Sequence, residues 1–445
     1  MTRVAIYGNN LNQGYFLARS LHELGVRATL FCPSYEYAQE RHDWWTASDI
    51  DGSLVRYAPL FPPGCGGTPS SDPEIRRVYD EIAAYDVLVM AENGPAVFSD
   101  LGGGPARVFL SLGFDLQNTP FLLKRHLYSR HTWQPLREVV VNTFSGHFGA
   151  PLLVPQRCRA VCGVLRSYAT LQRRQRKGLR QADALVIAPH QEPLARRLSL
   201  DPGKVRYLPM PMDTRVLQEV DRTASDALAR RYAAFENVFF HPTRQFFLRT
   251  TDDPYKKDNY KLLEGYADYR SRSTKRSRLL LVRKGDAADL EEADRIIHRL
   301  GLNESVEWLP EMPNRELRAF YTMRNVIVCD QFSPNLAVLG NIGREASFFG
   351  RLLITSFRAF NTRLYGADIP AHVLPAETAG EVARAMLAVD DLSDECRAGL
   401  EQGASRWFQR HHANAAAVPK WIRLFEDLVA QRSVRSAGRP SSRVT

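Results

Sequence analysis

Short, continuous apolar runs punctuate this chain, each followed by a turn and then by residues at helical spacing. Residues 4–7 are such a run and 8–14 its loop. Residues 15–24 then place Phe16, Leu17, Leu21 and Leu24 on one side of a helix that Gly25 stops. Further runs at 26–32, 86–90, 108–112 and 184–188 read as strands, those at 86–90 and 108–112 as buried ones, and 205–213 as the last strand of this half with its exit. A helical connector is expected over 214–236. A second series follows, with strands at 238–244, 278–282, 306–309, 326–329 and 352–355 and helices at 260–269, 288–300, 314–323, 341–349, 379–389 and 400–410. Strand–helix alternation of this length predicts an α/β chain of two doubly wound domains, 1–225 and 226–410. Trp421, Leu424, Phe425 and Leu428 form one stripe, so residues 411–430 are expected as a C-terminal helix laid back on the N-terminal domain. Residues 431–445, rich in Ser and Arg, are expected to be a disordered tail.

The stretch 326–355 is the most informative. An apolar strand ends at Asp330-Gln331, a loop carries Pro334, Asn335 and Gly340, and a helix opens at Asn341-Ile342 and stops at Gly350. Unpaired N–H groups and the dipole at a helix start favour an anion, above all a phosphate. Glu345 lies just over one turn in, where a carboxylate can accept hydrogen bonds from sugar hydroxyls. An acidic residue behind a phosphate-binding helix start suggests a nucleotide.

Composition narrows the class. At 445 residues, with 44% hydrophobic and 24% charged residues, the chain is an ordinary globular protein of two or three domains. No apolar run approaches the roughly 18 residues of a membrane span. The first strand begins at once, so no secretory signal is expected, and a cytoplasmic location is the default expectation. The six cysteines are scattered without zinc spacing and read as free thiols. The net charge of +10 is uneven: between Val139 and Ala182 there is no Asp or Glu, whereas Arg157, Arg159, Arg166, Arg173, Arg174, Arg176, Lys177 and Arg180 are basic. Such a block suits anionic lipid, nucleic acid or a phosphorylated substrate, or is a solvated helix face.

The first loop lacks the G-x-G-x-x-G spacing of a dinucleotide-binding turn, which argues against a nicotinamide enzyme. Asn9, Asn12 and Gly14 are candidates to approach a substrate there, or are turn residues. Asp115, in Gly113-Phe114-Asp115, sits past a parallel strand, where open α/β sheets place their chemistry. His126 follows in a basic, aromatic segment and is a candidate for donor or acceptor contact.

Two doubly wound domains with a returning helix resemble the GT-B fold of nucleotide-sugar glycosyltransferases, and the motifs resemble glycosyltransferase family 4. His241-Pro242-Thr243-Arg244 and Lys256-Lys257-Asp258-Asn259 match the order and spacing of that family's diphosphate-holding Arg and Lys, with Asp258 where the family has Gly. The run from Gly340 to Ile354 follows the frame G-x-x-x-x-E-A-M-A-x-G-x-P-V-I. The resemblance implies that Glu345 binds the ribose, that Gly340, Asn341 and Ile342 meet the phosphates, and that Leu309 lies near the base. Ala337 stands where many members carry a second Glu, and Asp330-Gln331 matches a subgroup that also lacks it. Gly113-Phe114-Asp115 resembles the family's G-x-D turn beside the reacting sugar. The GT-B resemblance implies domains facing a cleft, and retention of anomeric configuration follows from the family resemblance alone.

Breaking a sugar–diphosphate bond builds negative charge on the leaving phosphates. No D-x-D pair ends a strand beside the expected site, so Arg244, Lys257 and the N–H groups near Gly340 are expected to supply positive charge without a metal. No tightly bound cofactor is implied. The expected function is transfer of a sugar from a nucleotide-diphosphate sugar to a glycan or lipid-linked acceptor, with peripheral attachment to the inner membrane face through the basic block. Two alternatives stay open: a nucleic-acid binder or DNA-modifying glycosyltransferase using that block, and a catalytically silent sugar-nucleotide sensor, suggested by Ala337.

Overall fold

The computed structural model describes residues 2–9, 12–32, 52–58, 73–112, 115–116, 119–121, 154–248, 257–334, 338–366 and 368–437, with 74, 154–165 and 435–437 as backbone alone. The chain divides into two compact units. The first contains 50–208 and 418–445 with the N-terminal 40 residues; the second contains 209–417 and the short segment 41–49.

The first unit holds β1 (Arg3–Tyr7), α1 (Gln13–Glu23), β2 (Arg27–Cys32), β3 (Val55–Tyr57), α2 (Pro73–Ala83), β4 (Val87–Met90), α3 (Gly94–Val97), β5 (Ala106–Leu110), α4 (Val154–Gln181), β6 (Ala184–Val186), α5 (Glu192–Arg197) and β7 (Val205–Arg206). Its seven strands are all parallel in the order β3-β2-β1-β4-β5-β6-β7. Pro209 and Pro211 cannot donate to a ladder; β7 is the two residues Val205–Arg206, and the rest of the stretch to Asp213 is the exit expected there. The basic block is one 28-residue helix, α4. Gln175 fastens it: its Oε1 accepts the Ala96 N–H at 3.0 Å and its Nε2 donates to the Glu92 carbonyl at 2.9 Å. Gly178 lets the helix press on α3, because a Cβ there would stand 1.9 Å from the Pro95 carbonyl oxygen.

The second unit holds α6 (Thr214–Gln218), α7 (Arg222–Arg231), β8 (Asn237–His241), α8 (Tyr260–Arg272), β9 (Ser277–Val282), α9 (Ala287–Arg299), β10 (Val306–Leu309), α10 (Asn314–Tyr321), β11 (Val326–Cys329), α11 (Asn341–Phe348), β12 (Leu352–Thr355), β13 (Val373–Pro375), α12 (Ala379–Asp390) and α13 (Asp394–His411). Its six parallel strands run β10-β9-β8-β11-β12-β13. The expected single connector is two helices, each opened by its own aspartate: Asp213 accepts the Arg215 N–H and Asp221 the Ala224 N–H. Both belong to the second unit, so the division falls at 208/209 rather than near 225.

The last helix, α14 (Asn414–Ala437), enters the first unit at Val418. Trp421, Leu424, Phe425 and Leu428 are its buried stripe, and Arg432 bonds the Gly104 carbonyl. The helix continues to Ala437, past Gln431 where a disordered tail was expected. Gln431 to Ala437 contain no Gly or Pro, and Gly438 is the first strong breaker. Residues 438–445 lie outside the described residues.

Candidate active site in the second unit

In an open parallel sheet, ligands sit beyond the carboxyl ends of the strands where the strand order reverses. In the second unit that point lies between β8 and β11. Both strands are buried along their whole length, as the apolar runs required. They deliver His241 and Asp330 to the same edge.

His241 is a tie between elements. Its Nδ1 lies 2.8 Å from the Cys329 carbonyl, and its Nε2 lies 2.9 Å from Asn259 Nδ2, a donor. Nε2 therefore accepts and Nδ1 carries the proton. Burial first, with a smaller contribution from Lys257, pulls the imidazole down to about 3, so it stays neutral. Asn259 Nδ2 also lies 3.1 Å from the Arg244 carbonyl and 3.0 Å from Gln245 Oε1. The turn bearing Arg244 is thereby held to the start of α8, the turn that bears Lys257.

Asp258 adopts a left-handed φ of 57°. Glycine takes that conformation freely, and aspartate is among the few other residues that visit it. This accounts for Asp258 at the family's glycine position. Its carboxylate pairs with Lys261 Nζ at 2.7 Å, and that ammonium also donates to the Phe332 carbonyl at 3.2 Å. The Phe332 N–H donates to the Lys257 carbonyl at 3.0 Å, closing the loop against the exit of β11.

Three cations share this edge: Arg244 after β8, Lys257 before α8 and Lys284 after β9. Burial holds Lys257 below the ordinary lysine range. Asp330 opposes that shift, and the charges of Arg244 and Lys284 add to it. Lys284 is likewise lowered, by burial first, against its 3.2 Å ion pair with Glu311. Like charges gathered in a partly dehydrated place favour an anion between them. Lys284 was not among the sequence candidates. Its signal was the following Gly285, whose Cβ would stand 2.8 Å from the Gln245 carbonyl oxygen, marking a forced approach of two strand ends.

Asp330 is buried, and its carboxyl is raised by burial and lowered by Lys257. A Cβ on Gly340 would come within 3.8 Å of Asp330 Oδ2, which places the start of α11 beside the same group. Gln331 Nε2 donates to the Val338 carbonyl at 3.2 Å and so holds the loop entering α11. Gly340 is extended (φ −73°, ψ −169°) and offers no capping side chain. Asn341 Oδ1 accepts from Arg344, and Ile342 packs half-buried on the core. Leu309, at the end of β10, is buried and accepts the Arg283 N–H at 2.8 Å through its carbonyl.

Glu345 is fully buried beside α10. Asn314 Nδ2 reaches both its oxygens, at 3.1 and 3.2 Å. Burial raises its carboxyl to about 7, opposed by Arg318, Asn314 and Arg344. Asn314 and Arg318 were not sequence candidates. Their four-residue spacing, one helical turn, puts them on one face, but nothing in the sequence aims that face at Glu345.

In the first unit, Asn9 Nδ2 donates to Asn12 Oδ1 at 2.9 Å, and Asn9 Oδ1 accepts the Tyr15 N–H at 2.8 Å. Asn12 is left-handed (φ 59°), and Gly14 passes so close to Gly8 that a Cβ would stand 2.1 Å from its carbonyl oxygen. These three residues build the β1–α1 turn together. Asp115 is buried and accepts four hydrogen bonds, from Ser111 Oγ and the N–H groups of Glu92, Leu112 and Leu116 at 2.8–3.2 Å. It clamps the ends of β4 and β5. Burial raises its carboxyl, with those bonds opposing. His126 and Ala337 lie outside the described residues.

No protein-family model matches the chain, and no curated protein sequence does. Solved structures match over nearly its whole length. Anabaena HepE in complex with UDP and glucose aligns with a TM-score of 0.62 at 11% identity, covering 96% of this chain and 100% of HepE. Sucrose-phosphate synthase from Thermosynechococcus elongatus aligns at 0.61 and 14%, covering 97% and 100%. WaaG, a glycosyltransferase involved in lipopolysaccharide biosynthesis, aligns at 0.54 and 12%, covering 94% and 98%. Identities this low speak to architecture alone, and that architecture is the GT-B fold.

Proposed function

We propose that this chain is a glycosyltransferase that moves a sugar from a nucleotide-diphosphate sugar to an acceptor hydroxyl. The observation that carries the proposal is the gathering of Arg244, Lys257 and Lys284 at the strand-order reversal of the second unit, with the open start of α11 beside them. That arrangement suits a pyrophosphate. Glu345, one turn further along α11, suits the ribose. The neighbours support the reading: HepE has been solved with UDP and with UDP-glucose, which makes UDP the first nucleotide to test.

As the sugar–phosphate bond breaks, charge accumulates on the leaving diphosphate. Fixed cations and N–H dipoles stabilise that charge without having to reorganise. Arg244 and Lys257 supply it in this proposal, Asn341 and Ile342 contribute N–H groups, and no metal is required. The resemblance to family 4 makes retention the expected stereochemistry. On the acceptor side Asp115 is assigned a shaping role, holding the loop after β5, with the Asn9–Gly14 turn as the neighbouring wall. A glycan or lipid-linked acceptor fits best, reached at an anionic membrane surface through α4. There Arg174 and Lys177 are engaged by Asp100, and Arg176 donates to the Pro120 carbonyl. Arg166, Arg173 and Arg180 are exposed at seven-residue spacing along the helix. No helix among the described residues is long and apolar enough to cross a membrane.

The test is a thermal-shift screen of nucleoside diphosphates and their sugars, followed by assays of sugar transfer and donor hydrolysis. Stabilisation by at least one nucleoside diphosphate, with turnover of its sugar, is expected. A chain that none of them stabilises would end the proposal.

A further inference from the structure

Arg318 is one of the largest fully buried side chains among the described residues and carries a charge that burial should penalise. Its partners explain its retention. Nη1 donates to the Val216 carbonyl of α6, and Nη2 donates to Asn314 Oδ1 at 3.1 Å. Using its acceptor oxygen in this way turns the Asn314 amide so that Nδ2 meets both oxygens of Glu345. The chain Val216–Arg318–Asn314–Glu345 thus runs from α6 to α11 through one face of α10. The charges felt by Arg318 are those of Glu345 first, then Glu219, Tyr321 and Asp213. Those facing Glu345 are Arg318 and Tyr321 from α10 and Arg344 from its own helix.

We infer that Arg318 is a positioning residue for nucleoside recognition: through Asn314 it aims the Glu345 carboxylate at the ribose and anchors that aim to α6. The inference rests on the reading that Glu345 takes the ribose. Arg318 itself touches no ligand. Its effect is to oppose the upward shift that burial imposes on the carboxylate and to fix its orientation through Asn314 for a vicinal diol.

The experiment compares inorganic pyrophosphate with the ribo and 2′-deoxyribo forms of whichever of UDP, GDP and ADP binds the wild type most tightly. Pyrophosphate samples only the cation cluster and reports that the fold is intact. The wild type is expected to prefer the ribo form, with affinity rising as pH climbs through about 7 and Glu345 ionises. Glu345→Gln removes that preference if the ribose reading holds. Arg318→Met is expected to weaken the ribo form by roughly tenfold or more, erase most of the preference and move the pH midpoint upward. Pyrophosphate binding should stay within about twofold of wild type. Arg318→Lys, which keeps the charge, should move the midpoint back down. A preference surviving in Glu345→Gln would sink the ribose reading and the inference together. A preference lost there but kept in Arg318→Met, with an unmoved midpoint, would overturn the inference alone. Should Arg318→Met fail to bind pyrophosphate, Asn314→Leu breaks the same chain and is read by the same criteria.

Discussion

Replacing Glu345 with glutamine removes a carboxylate that the fold keeps in an unfavourable place. An ordinary glutamate ionises near 4.5, and burial raises this one to about 7. The folded state therefore favours the protonated form. Stability from that group is fully present below about 4.5 and is lost as pH rises from there to about 7. At about 1.4 kcal/mol per tenfold, the ionised native protein is penalised by about 3 kcal/mol above neutrality. Glu345→Gln should escape this. Its stability relative to wild type should increase by about 3 kcal/mol between pH 4 and pH 8, or roughly 6–12 °C in melting temperature for a unit of this size. Any fixed cost of repacking the amide against Asn314 is independent of pH and drops out of the difference. Paired thermal or urea melts across the pH range measure it. A mutant-minus-wild-type difference that is flat with pH, or that grows toward acid, would refute the burial argument. The same variant should lose nucleotide affinity, the trade expected where a binding site is held at the expense of stability.

Arg244→Ala or Lys257→Ala should each lower turnover by about 10²–10³, the usual cost of removing one fixed donor from a developing oxyanion. Steady-state rates within about threefold of wild type would take those residues out of the site. Because burial lowers Lys257 and Lys284, the free protein loses their charges earlier than ordinary lysines would as pH rises, and a bound diphosphate restores them. Diphosphate affinity should fall through that lowered range, with proton uptake on binding. Titration calorimetry in two buffers of different ionisation enthalpy measures the uptake, and a buffer-independent heat would contradict it. Gly178→Ala places a methyl on the Pro95 carbonyl and should destabilise the first unit by about 1–3 kcal/mol. Urea unfolding would show this, and an unchanged midpoint would mean that α4 does not sit where described.

Much of this architecture could be read from the chain because strands buried on both faces leave continuous apolar runs. β8, β11 and β12 are such runs, and the first two deliver His241 and Asp330 to the edge where the strand order reverses. The buried stripe of α14 was equally visible. What escaped was set by partners distant in sequence. Arg318 appears as one more charge on an amphipathic helix until α6 and Glu345 close around it. Lys284 looks like a strand end until Gly285 is seen pressed on the Gln245 carbonyl. Asp115 sits past β5 where chemistry was expected, and no local pattern announced the four hydrogen bonds it accepts there. Asp258 is the converse case, a departure from the family frame explained by a left-handed backbone that glycine would also satisfy.

The most direct measurement is calorimetric titration of the wild type and Arg244→Ala with UDP, UMP and uridine, extended to the guanosine and adenosine series if uridine compounds fail. One diphosphate is expected to bind more tightly than its monophosphate, by a margin that largely disappears in Arg244→Ala. Equal affinity for monophosphate and diphosphate, or a margin that survives the loss of Arg244, would contradict the claim that these cations grip a pyrophosphate.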